Sequence, residues 1–352
     1  MTTPLPALRP WTVGAATFLI TVCMSPLALV EPITHEVGTG VTYWYLGAIA
    51  AAVLGTHLNE RLVETGLAPW SSWARDRLRL LRAAFFLTGA AFMLSIWLTV
   101  LAATELAETP RAVSSLLVLV VVAYALRLGL EATMNLVGLL ALVVAPTLIF
   151  SYLGVVPGMR LASLLPVAPL SLPWLWPLIL FMCRGFDILP AVGPHIRGPY
   201  RTAALVGVVG GAVLLVLTML APVLVFGVHA TDQMAYPYIR TIGIVSSPYL
   251  PFERVQFVTF IVWQMISFGI VAAYSICGLL SLGVRVHPLT PWQAIVPWLG
   301  VVFAMSLVVM PPDVSNLLKT AWSGYGLLLY FVAPSALLLF GRERRRVAAA
   351  LA

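Results

Sequence analysis

Two opposite charges stand three residues apart in an otherwise apolar run, LILFMCRGFDILP, residues 178–190. Inside hydrocarbon an Arg or an Asp at a helix centre costs roughly 2.5–3.5 kcal/mol, so Arg184 and Asp187 must be compensated or put to use. In an intact helix, residues i and i+3 lie on neighbouring faces, and the two can pair as a structural ion pair. As ligand groups, Asp187 would receive an amino group while the Arg184 guanidinium offers its fork to a carboxylate. A third use is proton uptake by Asp187 in a coupling step. Between them, Gly185 admits close approach of another backbone and tolerates positive φ. The residues alone leave these three uses open.

A second apolar segment is interrupted as well. In TVCMSPLALVEP, residues 21–32, Pro26 removes a helical hydrogen bond and disfavours helix at Ser25. Paired interruptions in corresponding segments of two halves point to a transporter-like binding site, because the freed N–H and C=O groups then face a solute.

The elements that must carry these breaks follow from composition. Of the 352 residues, 61% are hydrophobic and 9% charged, with a mean hydropathy of +0.99. Soluble domains are about a quarter charged, so this is a polytopic membrane protein. Ten apolar segments of sufficient length are expected, at about 10–30 (extending as far as 36), 40–58, 80–104, 112–130, 133–153, 174–193, 201–227, 255–283, 292–310 and 318–340. They are continuously apolar, not alternating, which predicts helices instead of a barrel. The chain reads as one transmembrane domain over residues 1–352. Its two groups of five spans occupy about 10–153 and 174–340, followed by a short basic tail, 341–352.

The net charge of +7 is explained by topology and not by nucleic-acid binding. With the N-terminus inside, the inner loops and ends carry most of the Lys and Arg, including Arg75, Arg77, Arg79, Arg82, Arg342, Arg344, Arg345 and Arg346. Arg111, Arg160, Arg240, Arg254 and Lys319 fall outside. This distribution places both termini in the cytoplasm. The basic stretch ARDRLRLLR reads as an amphipathic inner loop before the third span, and AYPYIRTIGIV as a short surface helix. Cys23, Cys183 and Cys277 all fall in apolar segments and suggest no disulfide framework. The five histidines show no metal spacing, and no P-loop or dinucleotide fingerprint is present. The chain is therefore expected to be no enzyme, and to use neither metal nor cofactor.

One stretch is distinctive: AYPYIRTIGIVSSPYLPFERVQFVTFIVWQMISFGIVAAYSICGL, residues 235–279. Its Pro237, Ile239–Arg240 and Phe252-Glu253-Arg254 arrangement resembles the spore germination permeases. These are the B subunits of nutrient germinant receptors, within the amino acid–polyamine–organocation transporter superfamily. The sixth-segment RGFDILPAVGP is similar to that family's Gly-aromatic-acid break, with Asp187 where Glu is usual. Arg184 has no counterpart in the pattern.

The resemblance implies an all-α fold of ten transmembrane helices, a LeuT-type five-plus-five inverted repeat with broken first and sixth helices. It further implies a larger A subunit and a C-subunit lipoprotein as partners, a spore inner membrane location, and a small nutrient ligand, most often an amino acid. A secondary amino-acid transporter, proton- or sodium-coupled, is the alternative use of the same fold. On that fold the pocket is lined by Cys23, Met24 and Ser25 from the first break, and by Cys183, Arg184, Gly185, Phe186 and Asp187 from the sixth. The third span adds Trp97, with Ser95 and Thr99 beside it. In the eighth, Ser267 and Ser275 are expected to coordinate an ion or to bridge helices. Glu31, just before Pro32, lies either within the membrane or at its surface, and Glu105 is expected at the interface.

Overall fold

The computed structural model describes residues 8–22, 29–66, 72–104, 108–165, 172–243, 255–284, 286 and 289–339, and these are almost entirely helical. Helices α1 (Pro10–Val22) and α2 (Val30–Val37) occupy the first expected segment, α3 (Val41–Thr65) the second, and α4 (Ser72–Thr104) the third. They are followed by α5 (Arg111–Arg127) and α6 (Leu130–Val155). The sixth segment holds two short helices, α7 (Trp176–Phe181) and α8 (Leu189–Val192), and α9 (Arg201–Phe226) follows. Short helices α10 (Val228–Asp232) and α11 (Pro237–Gly243) precede α12 (Val255–Ser281), α13 (Trp292–Ser306) and α14 (Pro312–Leu327). Six stretches among the described residues are long and apolar enough to cross a membrane, and Pro10–Val22 and Trp292–Ser306 are shorter apolar helices. On α5 and α6 the most exposed side chains include Leu117, Val120, Leu139 and Leu142, a surface that hydrocarbon solvates better than water does. The protein is an integral membrane protein.

Two boundaries differ from the sequence reading. The basic stretch before the third span is not a loop: α4 starts at Ser72, because its Arg and Leu residues are strong helix formers and no Gly or Pro interrupts them. Helix α14 starts at Pro312, a residue whose fixed φ suits the first helical position. Lys319, expected in an outer loop, therefore sits about 10 Å along a helix. Beyond Leu327 this helix widens into a π turn, Leu328–Val332, and runs on to residue 339. Asn59 meets the widened turn by donating to the Tyr330 carbonyl at 2.9 Å.

The packing follows a five-helix offset. Helix α1 packs on α9 as α7 packs on α3, and α1 packs on α6 as α7 packs on α14. The contact of α4 with α13 likewise has its image in α12 with α5, while α4–α12, α3–α9 and α5–α13 are their own images. The closest of these approaches, α1 on α9, depends on small residues. A Cβ on Gly207 would strike the Gly14 carbonyl and the Thr17 hydroxyl. Missing side chains let membrane helices approach through their backbones.

The entry to α1 is also clipped in place. Leu8 forms a parallel bridge with Ile196: its N–H donates to the His195 carbonyl (2.9 Å), and its carbonyl accepts from Arg197 N–H (3.0 Å). Nearby, the Arg201 guanidinium lies 3.5 Å from the buried carboxylate of Glu60 on α3.

Candidate functional site

Helix α7 stops at Phe181, and regular α-helix resumes only at Leu189. Between them Gly185–Ile188 form a single 3-10 turn, in which Asp187 N–H donates to the Arg184 carbonyl at 2.8 Å. The break is pressed against α1. The space a Cβ would need at Gly185 is taken by the Thr17 carbonyl and the Thr21 hydroxyl, and Gly185 N–H donates to Thr21 Oγ1 at 3.2 Å. Thr21 in turn donates to the Thr17 carbonyl at 2.7 Å. Glycine is required here for space, and the freed N–H finds a side-chain acceptor instead of a helical carbonyl.

Arg184 and Asp187 do not pair directly, because the break removes the helical geometry that would have made them neighbours. They are joined through Tyr274 of α12. Its phenol accepts from Arg184 Nε at 2.8 Å and donates to Asp187 Oδ2 at 2.5 Å. Arg184 is further held by Met93 Sδ, 3.2 Å from its Nη2, and its guanidinium lies 4.8 Å from the centre of the Trp322 indole ring. Exposure is 3% for Arg184 and 0% for Asp187. Among the described residues, Asp187 Oδ1 has no hydrogen-bond partner. A cation, an acid and the phenol between them thus lie sealed in the core.

An aromatic layer surrounds this bridge. Phe85 stacks on Trp322 (4.6 Å between ring centres) and meets Tyr330 and Phe181 edge-on (5.1 and 5.8 Å). Phe86 lies edge-on to Tyr274 at 5.4 Å. Gly89 of α4 faces both Tyr274 and Trp322, where a Cβ would come within 2.8 Å of each ring. Tyr274, Met93, Trp322 and Thr21 were not among the sequence candidates. Tyr274 could have been found, since it lies seven residues after Ser267 and hence on the same helix face, with a hydroxyl that needs a partner in hydrocarbon.

The other candidates fall in different places. Cys183 and Phe186 are buried with the bridge, but Phe186 packs edge-on against Phe181 (5.8 Å) and Phe331 (5.3 Å) and lies under Gly55. Trp97 is buried on α4, and among the described residues its Nε1 has no partner. Ser267 donates to the Trp263 carbonyl at 2.8 Å, whereas Ser275 is buried with its hydroxyl unpartnered among the described residues. Cys23, Met24, Ser25, Glu105, Phe252, Glu253 and Arg254 lie outside the described residues. Among the described residues, no group of three or more His, Cys, Asp and Glu is placed to hold a metal.

An open cavity of about 400 Å³ lies apart from the residues of the bridge. It is walled by α2, by the Ala91–Val100 stretch of α4, by the chain entering α11, and by the facing ends of α13 and α14. Ser95, Thr99 and Glu31 line it, and so does Lys319; none of the residues of the sixth-segment break does. Arg111 stiffens one wall by donating to Thr99 Oγ1 (2.6 Å) and to the Ser95 carbonyl (3.2 Å). Tyr236 lies on the rim in a left-handed conformation, φ 54°, unusual for a bulky residue. Burial pushes its phenol above the ordinary tyrosine range, opposed by the nearby Arg111 charge. Cavity and bridge are separated by Phe92, which lines the cavity and meets Trp322 edge-on at 6.2 Å.

A family model described as "Spore germination protein" matches residues 39–314, which include the sixth-segment break, Arg111 and Tyr274. The chain belongs to the spore germination permease family. No curated protein matches it in sequence. Among solved structures, it is similar to a nucleobase-cation-symport-1 family transporter in a closed conformation with bromovinylhydantoin bound. That likeness has a TM-score of 0.60 at 10% identity, over 94% of this chain and 80% of the other. It is also similar to a Na⁺-coupled sialic acid symporter in a substrate-bound outward-open state, with a TM-score of 0.58 at 13% identity, over 92% of this chain and 79% of the other. The spore permease thus has the LeuT-type inverted-repeat fold of these transporters, and the image pairs of helices described above are its internal signature.

Proposed function

We propose that this spore permease is the membrane subunit of a nutrient germinant receptor. In this reading it binds a small nutrient, an amino acid in the first instance, and signals to an A subunit and a C-subunit lipoprotein in the spore inner membrane, with both of its termini cytoplasmic. The observation that carries the proposal is the family match across residues 39–314. The Arg184–Tyr274–Asp187 bridge supports it by tying the broken sixth segment to α12, so that one conformational state is specified by two hydrogen bonds. A ligand shifts such a state only by binding the alternative state more tightly. The break residues Cys183, Arg184, Gly185, Phe186 and Asp187 would meet ligand once the Phe92–Trp322 layer moves, together with Cys23, Met24, Ser25 and Trp97. Ser267, which also bonds the Trp263 carbonyl within α12, and Ser275 would coordinate an ion or bridge α12 to a neighbouring helix.

A secondary transporter is the second reading, favoured by the likeness to two symporters. Radiolabelled amino acids offered to the protein in sealed proteoliposomes decide between them. Saturable binding without accumulation supports the receptor, and saturable uptake against a gradient overturns a receptor-only role.

A further inference from the structure

We infer that the open cavity is itself a recognition site for a small zwitterion with an apolar tail, distinct from the sealed break. The inference rests on the reading that the protein senses a small solute, and it says where and by which groups the solute is first held.

The cavity carries one fixed acid and one fixed base on different helices: Glu31 in the first turn of α2, and Lys319 well inside α14. Each feels the other's charge, but no salt bridge joins them. Among the described residues, ion pairs within 4.0 Å are formed by His35 with Asp232 and by Arg201 with Glu60, and neither Glu31 nor Lys319 takes part. Among the described residues Lys319 makes one hydrogen bond, a long one of 3.3 Å to Asn316 Oδ1, which uses one of its three donors. A mostly buried ammonium whose counter-charge lies beyond salt-bridge distance is costly, and so is the half-buried carboxylate that faces it.

A ligand carrying both charges would complete both groups at once: its carboxylate on Lys319 and Asn316, its ammonium on Glu31. The remaining wall is apolar, with Phe92, Ile96, Met305 and Val308, and it accepts a branched or linear hydrocarbon tail. At about 400 Å³ the space lies near the lower end of the range for small-molecule pockets, which excludes bulky solutes. Occupancy would be felt at the bridge, because Phe92 touches Trp322 and Trp322 lies against Arg184.

The test uses the full-length protein in nanodiscs and three probes of one shape: leucine, isocaproate (leucine without its amino group) and isoamylamine (leucine without its carboxylate). Leucine is expected to bind at least tenfold more tightly than either truncated probe. Lys319→Met should reduce leucine to the level of isoamylamine, and Glu31→Gln should reduce it to the level of isocaproate. A location readout that leaves both charges in place guards against misfolding. Met305→Cys should react with a water-soluble thiol reagent, and leucine should protect it, with the parent protein giving the background from its own cysteines. Equal binding of all three probes overturns the inference. So does leucine binding that survives both charge substitutions while failing to protect Met305→Cys; in that case a solute-binding role still stands and the site lies elsewhere. If no amino acid binds the unaltered protein, the functional reading falls with the site.

Discussion

Replacing Tyr274 by Phe removes a single oxygen atom from the core and strands two charged groups. The hydroxyl supplies one hydrogen bond to Arg184 Nε and one to Asp187 Oδ2, at 2.8 and 2.5 Å, where exposure is 3% and 0%. Hydrogen bonds with a charged partner contribute about 1.5–3 kcal/mol each, so losing both costs roughly 3–6 kcal/mol before relaxation. With an unfolding entropy of about 2.1 cal/mol/K per residue, a chain of this length loses about 1.4 °C per kcal/mol, so the melting temperature should fall by about 4–8 °C. The assay is thermal unfolding of the detergent-purified protein, followed by tryptophan fluorescence. The companion variant carries Arg184→Met, Asp187→Leu and Tyr274→Phe together. Apolar replacement of a complete buried charged group is often neutral or stabilising, so the triple variant should recover most of the loss while remaining unable to switch. A Tyr274→Phe melting curve that overlays the parent's would refute the bridge as a stabilising element. A triple variant less stable than the single one would refute the argument that the penalty lies in stranded charges.

Gly185→Ala should cost about 1–3 kcal/mol as overpacking against Thr17 and Thr21, read as a reduced monodisperse peak in fluorescence-detected size exclusion. Gly207→Ala should weaken the α1–α9 contact by a similar amount in the same assay, while Gly300→Ala, where the added atom meets nothing within 4 Å, should leave the peak unchanged. Leu8→Pro deletes the N–H that bonds the His195 carbonyl, and limited trypsin should then cleave after Arg197, whose N–H bonds the Leu8 carbonyl, several times faster than in the parent; an unchanged rate would mean that the clip does not hold the chain. Arg111→Met removes the donor that joins Thr99 to Ser95, and leucine affinity in the nanodisc assay should fall by about three- to tenfold without a change in the expression peak.

The fold and the break in the sixth segment were legible for separate reasons. Helix positions come from runs of apolar residues, a local signal, and the break at Gly185 showed itself because charge and glycine are both misplaced in such a run. Boundaries were less legible where helix-forming Arg and Leu extended α4 into a stretch that charge alone marked as a loop. Tyr274 could be picked out as a hydroxyl in need of a partner, but its pairing with these two charges was not readable, because spacing within one segment suggests only what an intact helix would bring together. Tyr274 lies 87 residues from Asp187 in the chain, and only the packing of α12 against the break makes them neighbours. Lys319 was misassigned for a related reason. A lone Lys near the end of an apolar segment counts as a topology marker, and its turn into a cavity depends on α14 beginning at Pro312.

These positions constrain how a signal could leave the membrane. The break is held on one side by α1, through Thr17 and Thr21, and on the other by α12, through Tyr274. Any event that moves Trp322 changes what lies against Arg184, and Arg184 and Asp187 share one phenol, Arg184 donating to its oxygen and Asp187 accepting its proton. If the guanidinium withdraws, Tyr274 keeps its bond to Asp187 but loses its donor, and the sixth segment is free to shift relative to α12. At the far end, the same segment leads through α8 directly into the bridge at Ile196 that clips the start of α1. A receptor needs only that this short rigid path tilt and be felt by a partner on the Leu8 side. A transporter needs in addition that the Leu8 clip open to release solute. The two mechanisms therefore share their first step at Trp322 and part company at Leu8, which makes the clip the place where they are told apart: covalent closure of it, with cysteines at positions 8 and 196, would abolish transport and leave ligand binding intact.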